Sequence, residues 1–184
     1  MNKILPCEIN IKVTAIPLII AALLLIGIAN VSAEEKKFKE DAIQEIAITL
    51  ANQTVAGGYK IMKIKELKRL IDNHKDFVLI DAHPRREFVK AYIDGAKNFG
   101  FQSKHTGEWD KDIDVKGGAT LADYRKLLGN DLSKMIVVYC GFTKCGRSHN
   151  AAWWARFLGY TNVYRAPGGI TAWKDAGYPY KTIE

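Results

Sequence analysis

Cysteine is scarce in this chain: Cys7, Cys140 and Cys145 are the three that occur among 184 residues. A disulfide framework is therefore excluded as the basis of the fold, and apolar packing must supply the core. Internal repeats and low-complexity linkers are missing too, and no stretch is polar or charged enough to read as a long disordered tail. One ordinary domain is the expectation for this length. No basic cluster is interleaved with aromatics and no nucleic-acid motif occurs, so the net charge of +7 reads as a solvated surface and no nucleic-acid partner is expected. The longest apolar run, Ala15 to Ala29, falls short of the roughly 20 residues a spanning helix needs.

That run is preceded by Lys3 and Lys12 and followed by Val31-Ser32-Ala33, the basic, apolar and small-residue order of an export signal. The expectation is a signal peptide over residues 1–33, cut after Ala33, and a periplasmic or otherwise exported protein with no stable membrane insertion. Cleavage removes two lysines and one glutamate, leaving a charge of +6 on residues 34–184. It also removes Cys7, so one close pair of thiols enters an oxidising compartment.

Residues Lys36 to Thr54 carry Phe38, Ile43, Ile46, Ala47 and Leu50 at helical spacing, which predicts an amphipathic helix ending before Gly57-Gly58, within an N-terminal extension over residues 34–58. From Tyr59 onward short β-rich runs alternate with helical ones, as in a parallel sheet with helices on its faces. Strands are expected at Tyr59 to Ile64, Phe77 to Ile80, Ala96 to Phe99, Met135 to Tyr139 and Asn162 to Arg165. Helices are expected at Glu66 to Asp72, after the Thr120/Asp123 capping pair, from Ser148 as a cap to Leu158, and near Thr171 to Ala176. The run Met135-Ile136-Val137-Val138-Tyr139 is continuously apolar, which marks a strand buried on both faces. It ends at Cys140.

In open parallel sheets ligands bind beyond the carboxyl ends of the strands, where loops lead into helix N-termini. The segment Cys140-Gly141-Phe142-Thr143-Lys144-Cys145-Gly146-Arg147-Ser148 occupies such a place. Its backbone N–H groups can converge on an anion, and Lys144, Arg147 and the helix dipole favour a thiolate there. The alternative is that Cys140 is a small buried apolar residue and Cys145 an incidental neighbour.

With this loop goes a C-terminal pattern, Pro167-Gly168-Gly169-Ile170, Ala172-Trp173 and Ala176-Gly177-Tyr178-Pro179, and an earlier one, Asp81-Ala82-His83-Pro84-Arg85-Arg86-Glu87-Phe88 followed by Ile93-Asp94-Gly95-Ala96. Together they resemble the rhodanese-like sulfurtransferases over residues 59–184. The resemblance implies an open parallel α/β sheet of about five strands, and the glycine and tryptophan motif reads as packing. It further implies transfer of a sulfane sulfur from a donor such as thiosulfate or a persulfide to a thiol or cyanide-type acceptor. Cys140 would carry the persulfide, Arg147 would assist, Gly141, Phe142, Thr143, Lys144, Cys145, Gly146 and Ser148 would form the binding loop, and no cofactor would be required. Asp81, His83 and Glu87 would support the loop.

The chain departs from the family pattern in three places. His83 stands where arginine is common, Ala91 and Tyr92 stand for glycine and histidine, and Arg147 follows Cys140 by seven residues instead of five. Cys145 has no counterpart; it could resolve a Cys140 persulfide by forming a disulfide, or be an accidental oxidation partner. Alternatives to transferase activity are a non-catalytic sulfur carrier or binding module and a phosphatase or arsenate reductase. Asp110, Asp112 and Asp114 alternate like the start of a calcium loop, but Val115 and Leu121 stand where glycine and glutamate are needed, so they read as an acidic surface turn. Cys140, Cys145 and His149 lack a fourth zinc ligand, and no metal is expected. His105 and Trp109 read as overhanging the pocket or capping the core.

Overall fold

The computed structural model describes residues 40–183. The expected signal peptide, its cleavage point, Cys7 and the start of the N-terminal helix lie outside the described residues. Two compact units divide the chain, Met1–Gln44 and Glu45–Glu184. Of the first, residues 40–44 are described and are helical. The helix α1, residues 40–57, takes in Gly57 and stops at Gly58, whose φ of +60° is a left-handed conformation open to glycine.

In the second unit β1 (Lys60–Ile61), β2 (Val78–Asp81), β3 (Lys97–Asn98), β4 (Ile136–Tyr139) and β5 (Val163–Ala166) form one sheet in the order β1-β5-β4-β2-β3. Every pairing is parallel, as the alternation of strands and helices predicts. Strand β4 is central and has a partner on each edge, so its side chains meet packed helices on both sides; hence its unbroken apolar run. The flanking helices are α2 (Ile64–Asp72), α3 (Arg85–Phe88), α4 (Trp109–Asp112), α5 (Leu121–Leu128), α6 (Arg147–Phe157) and α7 (Gly169–Asp175).

The period-two alternation of β4 divides the core. Ile136, Val138 and then Cys140 pack with Phe101, Tyr124, Trp154 and Tyr160. Val137 and Tyr139 pack with Leu67, Ile93, Ile170 and Trp173 on the other face. Thr120 and Asp123 form the expected capping box at the start of α5.

Two readings of the sequence are corrected. Ser148 does not cap α6, because Gly146 is the N-cap residue and Ser148 lies inside the first turn, buried. Asp112 is no surface turn: it is fully buried at the end of the single-turn α4. Its carboxylate accepts hydrogen bonds from Thr106, Gly107 and the Trp154 indole N–H at 2.7–3.2 Å. Burial raises its pKa, but those bonds and neighbouring His105 outweigh burial and hold it below the usual carboxylate range. Trp109 packs on Phe99, Phe101, Tyr124 and Trp154, which makes it a core residue.

Candidate functional site

The segment from Cys140 to Ser148 leaves the carboxyl end of β4 and enters α6. Most of its carbonyls are tied from outside, and one from within. Ile170 N–H donates to the Cys140 carbonyl at 2.8 Å and Thr171 N–H to that of Gly141 at 2.9 Å, both from the first turn of α7. Cys145 N–H donates to the Phe142 carbonyl at 2.9 Å, and Arg165 Nη2 donates to the carbonyls of Cys145 and Thr143 at 3.0 and 3.5 Å. A peptide unit whose C=O points outward turns a neighbouring N–H the other way, and so the loop presents amides to its own interior.

Two cysteine sulfurs share that interior in unlike surroundings. Cys140 is 0% exposed. Its Sγ lies 3.3 Å from the Cys145 carbonyl oxygen, which can only accept and so suits a neutral S–H, and 3.2 Å from Ser148 Oγ, with the Ser148 backbone N–H also turned to it. Burial, with the adjoining Cys145 sulfur, pushes the Cys140 thiol well above its ordinary pKa. Cys145, 4% exposed, is met by donors: the Cys140 thiol, the backbone N–H groups of Gly141 and Arg147, and the Arg147 guanidinium, whose Nη1 is 3.8 Å from its Sγ. The Cys140 thiol is the strongest of these influences; together they overcome burial and bring Cys145 down to about 5.

Beneath the loop lies a residue that the sequence reading passed over. Arg165, on β5, is 0% exposed. Besides the two loop carbonyls it donates to Ser148 Oγ at 2.9 Å, Gln53 Oε1 at 2.6 Å and Tyr59 Oη at 3.3 Å. All these acceptors are neutral oxygens. A buried cation of this kind is stable only where nearby acceptors and negative charge offset its desolvation. The loop is the place built for that charge.

Tyr59 Oη also lies 2.9 Å from His149 Nδ1; accepting from Arg165, it donates its proton there, which leaves the His149 proton on Nε2. Burial and the Arg165 charge lower the His149 pKa from 6.5 to about 4. Between these values the unfolded chain binds the proton and the folded one does not, so stability is full above about pH 6.5 and falls as the pH drops towards 4. The expected loss is roughly 3 kcal/mol. Denaturant unfolding across this range, with His149→Gln as the comparison, checks it: the variant should lose this part of the slope, and an unchanged slope refutes the assignment to His149.

The three expected supporting residues separate. Asp81 and His83 stand beside the loop: Asp81 Oδ1 accepts the His83 backbone N–H at 2.9 Å and lies 2.8 Å from His83 Nδ1. His83 Nε2 faces Gly141, where an added Cβ would sit 3.2 Å from it. Glu87 lies at the surface, 3.3 Å from Lys90. His105 is drawn inward, 2.9 Å from Asp112, and the part of the long connection that does cover the loop is Ser103, whose carbonyl leaves no room for a side chain at Gly146. Phe142, 53% exposed, and Lys144 stand at the outer rim. A cavity of about 310 Å³ opens between Thr143 and Lys144 of the loop and Ile46, Leu50 and Gln53 of α1.

The Rhodanese-like domain profile matches residues 63–176. Solved structures share the fold at low sequence identity. The polysulfide-sulfur transferase homodimer of Wolinella succinogenes is 20% identical, with a TM-score of 0.50 over 73% of this chain and 87% of that one. Thiosulfate sulfurtransferase of Pseudomonas aeruginosa is 17% identical, with a TM-score of 0.55 over 74% of this chain and 22% of that one. The BH2092 protein of Bacillus halodurans is 19% identical, with a TM-score of 0.52 over 67% of this chain and 77% of that one. No curated protein matches the chain. With a parallel five-stranded sheet, a cysteine loop at the end of its central strand and a profile match over more than half its length, the chain belongs to the rhodanese-like family.

Proposed function

We propose that this chain is a sulfurtransferase that takes a sulfane sulfur from a small anionic donor or a persulfide, holds it as a persulfide on the Cys140/Cys145 pair, and passes it to a thiol or cyanide-type acceptor. The observation that carries this reading is the ring of donors around the buried Cys145 sulfur in the loop that follows β4: the amides of Gly141 and Arg147 and the Arg147 guanidinium. Such a ring favours a thiolate and equally a persulfide anion, and both are the nucleophiles the reaction uses. Arg147 Nε has no acceptor among the described residues, and with Lys144 at the rim it can receive an anionic donor. Phosphate chemistry fits less well, because the amides a phosphate would use are turned onto the Cys145 sulfur. The export signal read over residues 1–33 would put this activity outside the cytoplasm.

Mass spectrometry of the reduced protein after thiosulfate or polysulfide treatment tests the proposal. A gain of one sulfur discharged by cyanide or a thiol, or its release as sulfide with loss of two hydrogens from the cysteine pair, is the expected result, and neither should occur when both cysteines are replaced by serine. An unchanged mass, or the same gain in the double variant, sinks it.

A further inference from the structure

The two sulfurs of the loop are not interchangeable, and their surroundings assign them an order. Resting on the proposed sulfur-transfer reading, we infer that Cys145 makes the first attack on the sulfane sulfur and that Cys140 then expels it as sulfide, so that the loop is a persulfide reductase reset by an external dithiol.

Geometry carries the assignment. A nucleophilic thiolate needs donors aimed at it, and Cys145 has them from the Arg147 guanidinium, Nη1 at 3.8 Å from its Sγ, and from the Gly141 and Arg147 N–H groups. Cys140 instead meets an accepting oxygen, the Cys145 carbonyl at 3.3 Å, and its donors are confined to Ser148, whose Oγ at 3.2 Å is itself held by Arg165 Nε at 2.9 Å. Cys145 is also the cysteine on the loop proper, one residue from the Thr143–Lys144 wall of the cavity, whereas Cys140 sits at the strand end with no exposure. Of the two sulfur-bearing residues, Cys145 is the one that keeps any exposure, at 4%.

The steps balance. The Cys145 thiolate attacks the outer sulfur of a persulfide R–S–SH; a Cys145 S–S bond forms, the donor S–S bond breaks, and R–S⁻ leaves with the electron pair. Cys140 Sγ then attacks Cys145 Sγ. The bond between Cys145 and the outer sulfur breaks, that sulfur leaves as hydrosulfide, and the S–H proton of Cys140 goes with it to give hydrogen sulfide. The cysteine pair is oxidised to a Cys140–Cys145 disulfide, and the sulfane sulfur is reduced to sulfide. A further turnover requires an external dithiol to reduce the disulfide by exchange.

The charged and titratable groups facing the pair are Arg147 on α6, Arg165 on β5, and His83 with Asp81 at the end of β2, with Tyr59 and His149 reaching it through Arg165 and Ser148. None of them is a carboxylate in contact with Cys145, so its thiolate should persist well below neutral pH.

The test treats the reduced full chain with polysulfide, without added thiol. One equivalent of sulfide per chain, accompanied by loss of two hydrogens mapped to a Cys140–Cys145 linkage, is expected. In Cys140→Ser the extra sulfur should remain on Cys145, and sulfide release should fall roughly a hundredfold; Cys145→Ser should take up no sulfur. As a check independent of these variants, thiolate absorbance of the wild-type protein should titrate with a midpoint near 5. Sulfur mapped to Cys140 with uptake intact in Cys145→Ser overturns the order while leaving sulfur transfer standing. Uptake on neither cysteine overturns both.

Discussion

Arg165→Met is expected to move the ionisation of Cys145 upward by a pKa unit or more and to cut sulfur uptake at neutral pH at least about tenfold, with only a small change in stability. The residue is buried and its guanidinium serves five oxygens, those of Ser148, Gln53, Tyr59, Thr143 and Cys145. Removing it strands acceptors, at about 1–3 kcal/mol for each that finds no other donor. It also removes a buried charge whose desolvation costs several kcal/mol. These effects oppose each other, and a net change within about 2 kcal/mol is expected from unfolding curves. The loop does not share in that cancellation: with the Thr143 and Cys145 carbonyls released, the stretch around Cys145 can shift and carry its sulfur away from the Gly141 and Arg147 amides. Arg165→Lys supplies the charge but not the fork, and should recover less than half of the lost uptake. A thiolate midpoint identical to wild type in Arg165→Met refutes this positioning role.

Gly169→Ala is expected to lower stability by about 3 kcal/mol and the melting temperature by about 6–12 °C. Gly169 has a φ of +59°, in the left-handed region, and a Cβ there would overlap the Cys140 carbonyl oxygen. Because α7 donates Ile170 and Thr171 N–H to the Cys140 and Gly141 carbonyls, backing away to relieve the overlap breaks the contacts that turn the Gly141 amide inward. Thermal unfolding and the Cys145 titration should therefore change together. A melting temperature within a degree or two of wild type would show that the loop tolerates the displacement.

The coarse architecture was legible because it rests on local patterns. The unbroken apolar run of β4, the capping box at Thr120 and Asp123, and the alternation of short strands with helices each state their environment within a few residues. The place of the cysteine loop followed from where β4 stops. What was not legible depends on residues far apart in the chain. Arg165 reads as an ordinary polar position of a short strand until Gln53, separated from it by 112 positions, closes over its guanidinium. Its one signal was a basic residue between Val163 and Ala166 in a strand otherwise fit for the core. Asp112 looked like one of three alternating surface acids, and its burial depends on Trp154 of α6 reaching its carboxylate. Ser148 had a cap's chemistry, but the cap fell earlier, at Gly146, and the hydroxyl turned onto Cys140 and Arg165. The glycine pair at Gly168-Gly169 read as packing alone, yet it also brings α7 against the loop.

The dependence of the loop on α7 has a bearing on how the protein is made. A chain emerges from its N-terminus, so Cys140 and Cys145 appear before Gly169, Ile170 and Thr171 do. Until those residues arrive, the Cys140 and Gly141 carbonyls lack their donors and the two thiols keep the acidity of any exposed cysteine. Reactivity is thereby deferred to the end of synthesis, and an incomplete chain ending before α7 would carry both cysteines without the field that makes one of them a nucleophile.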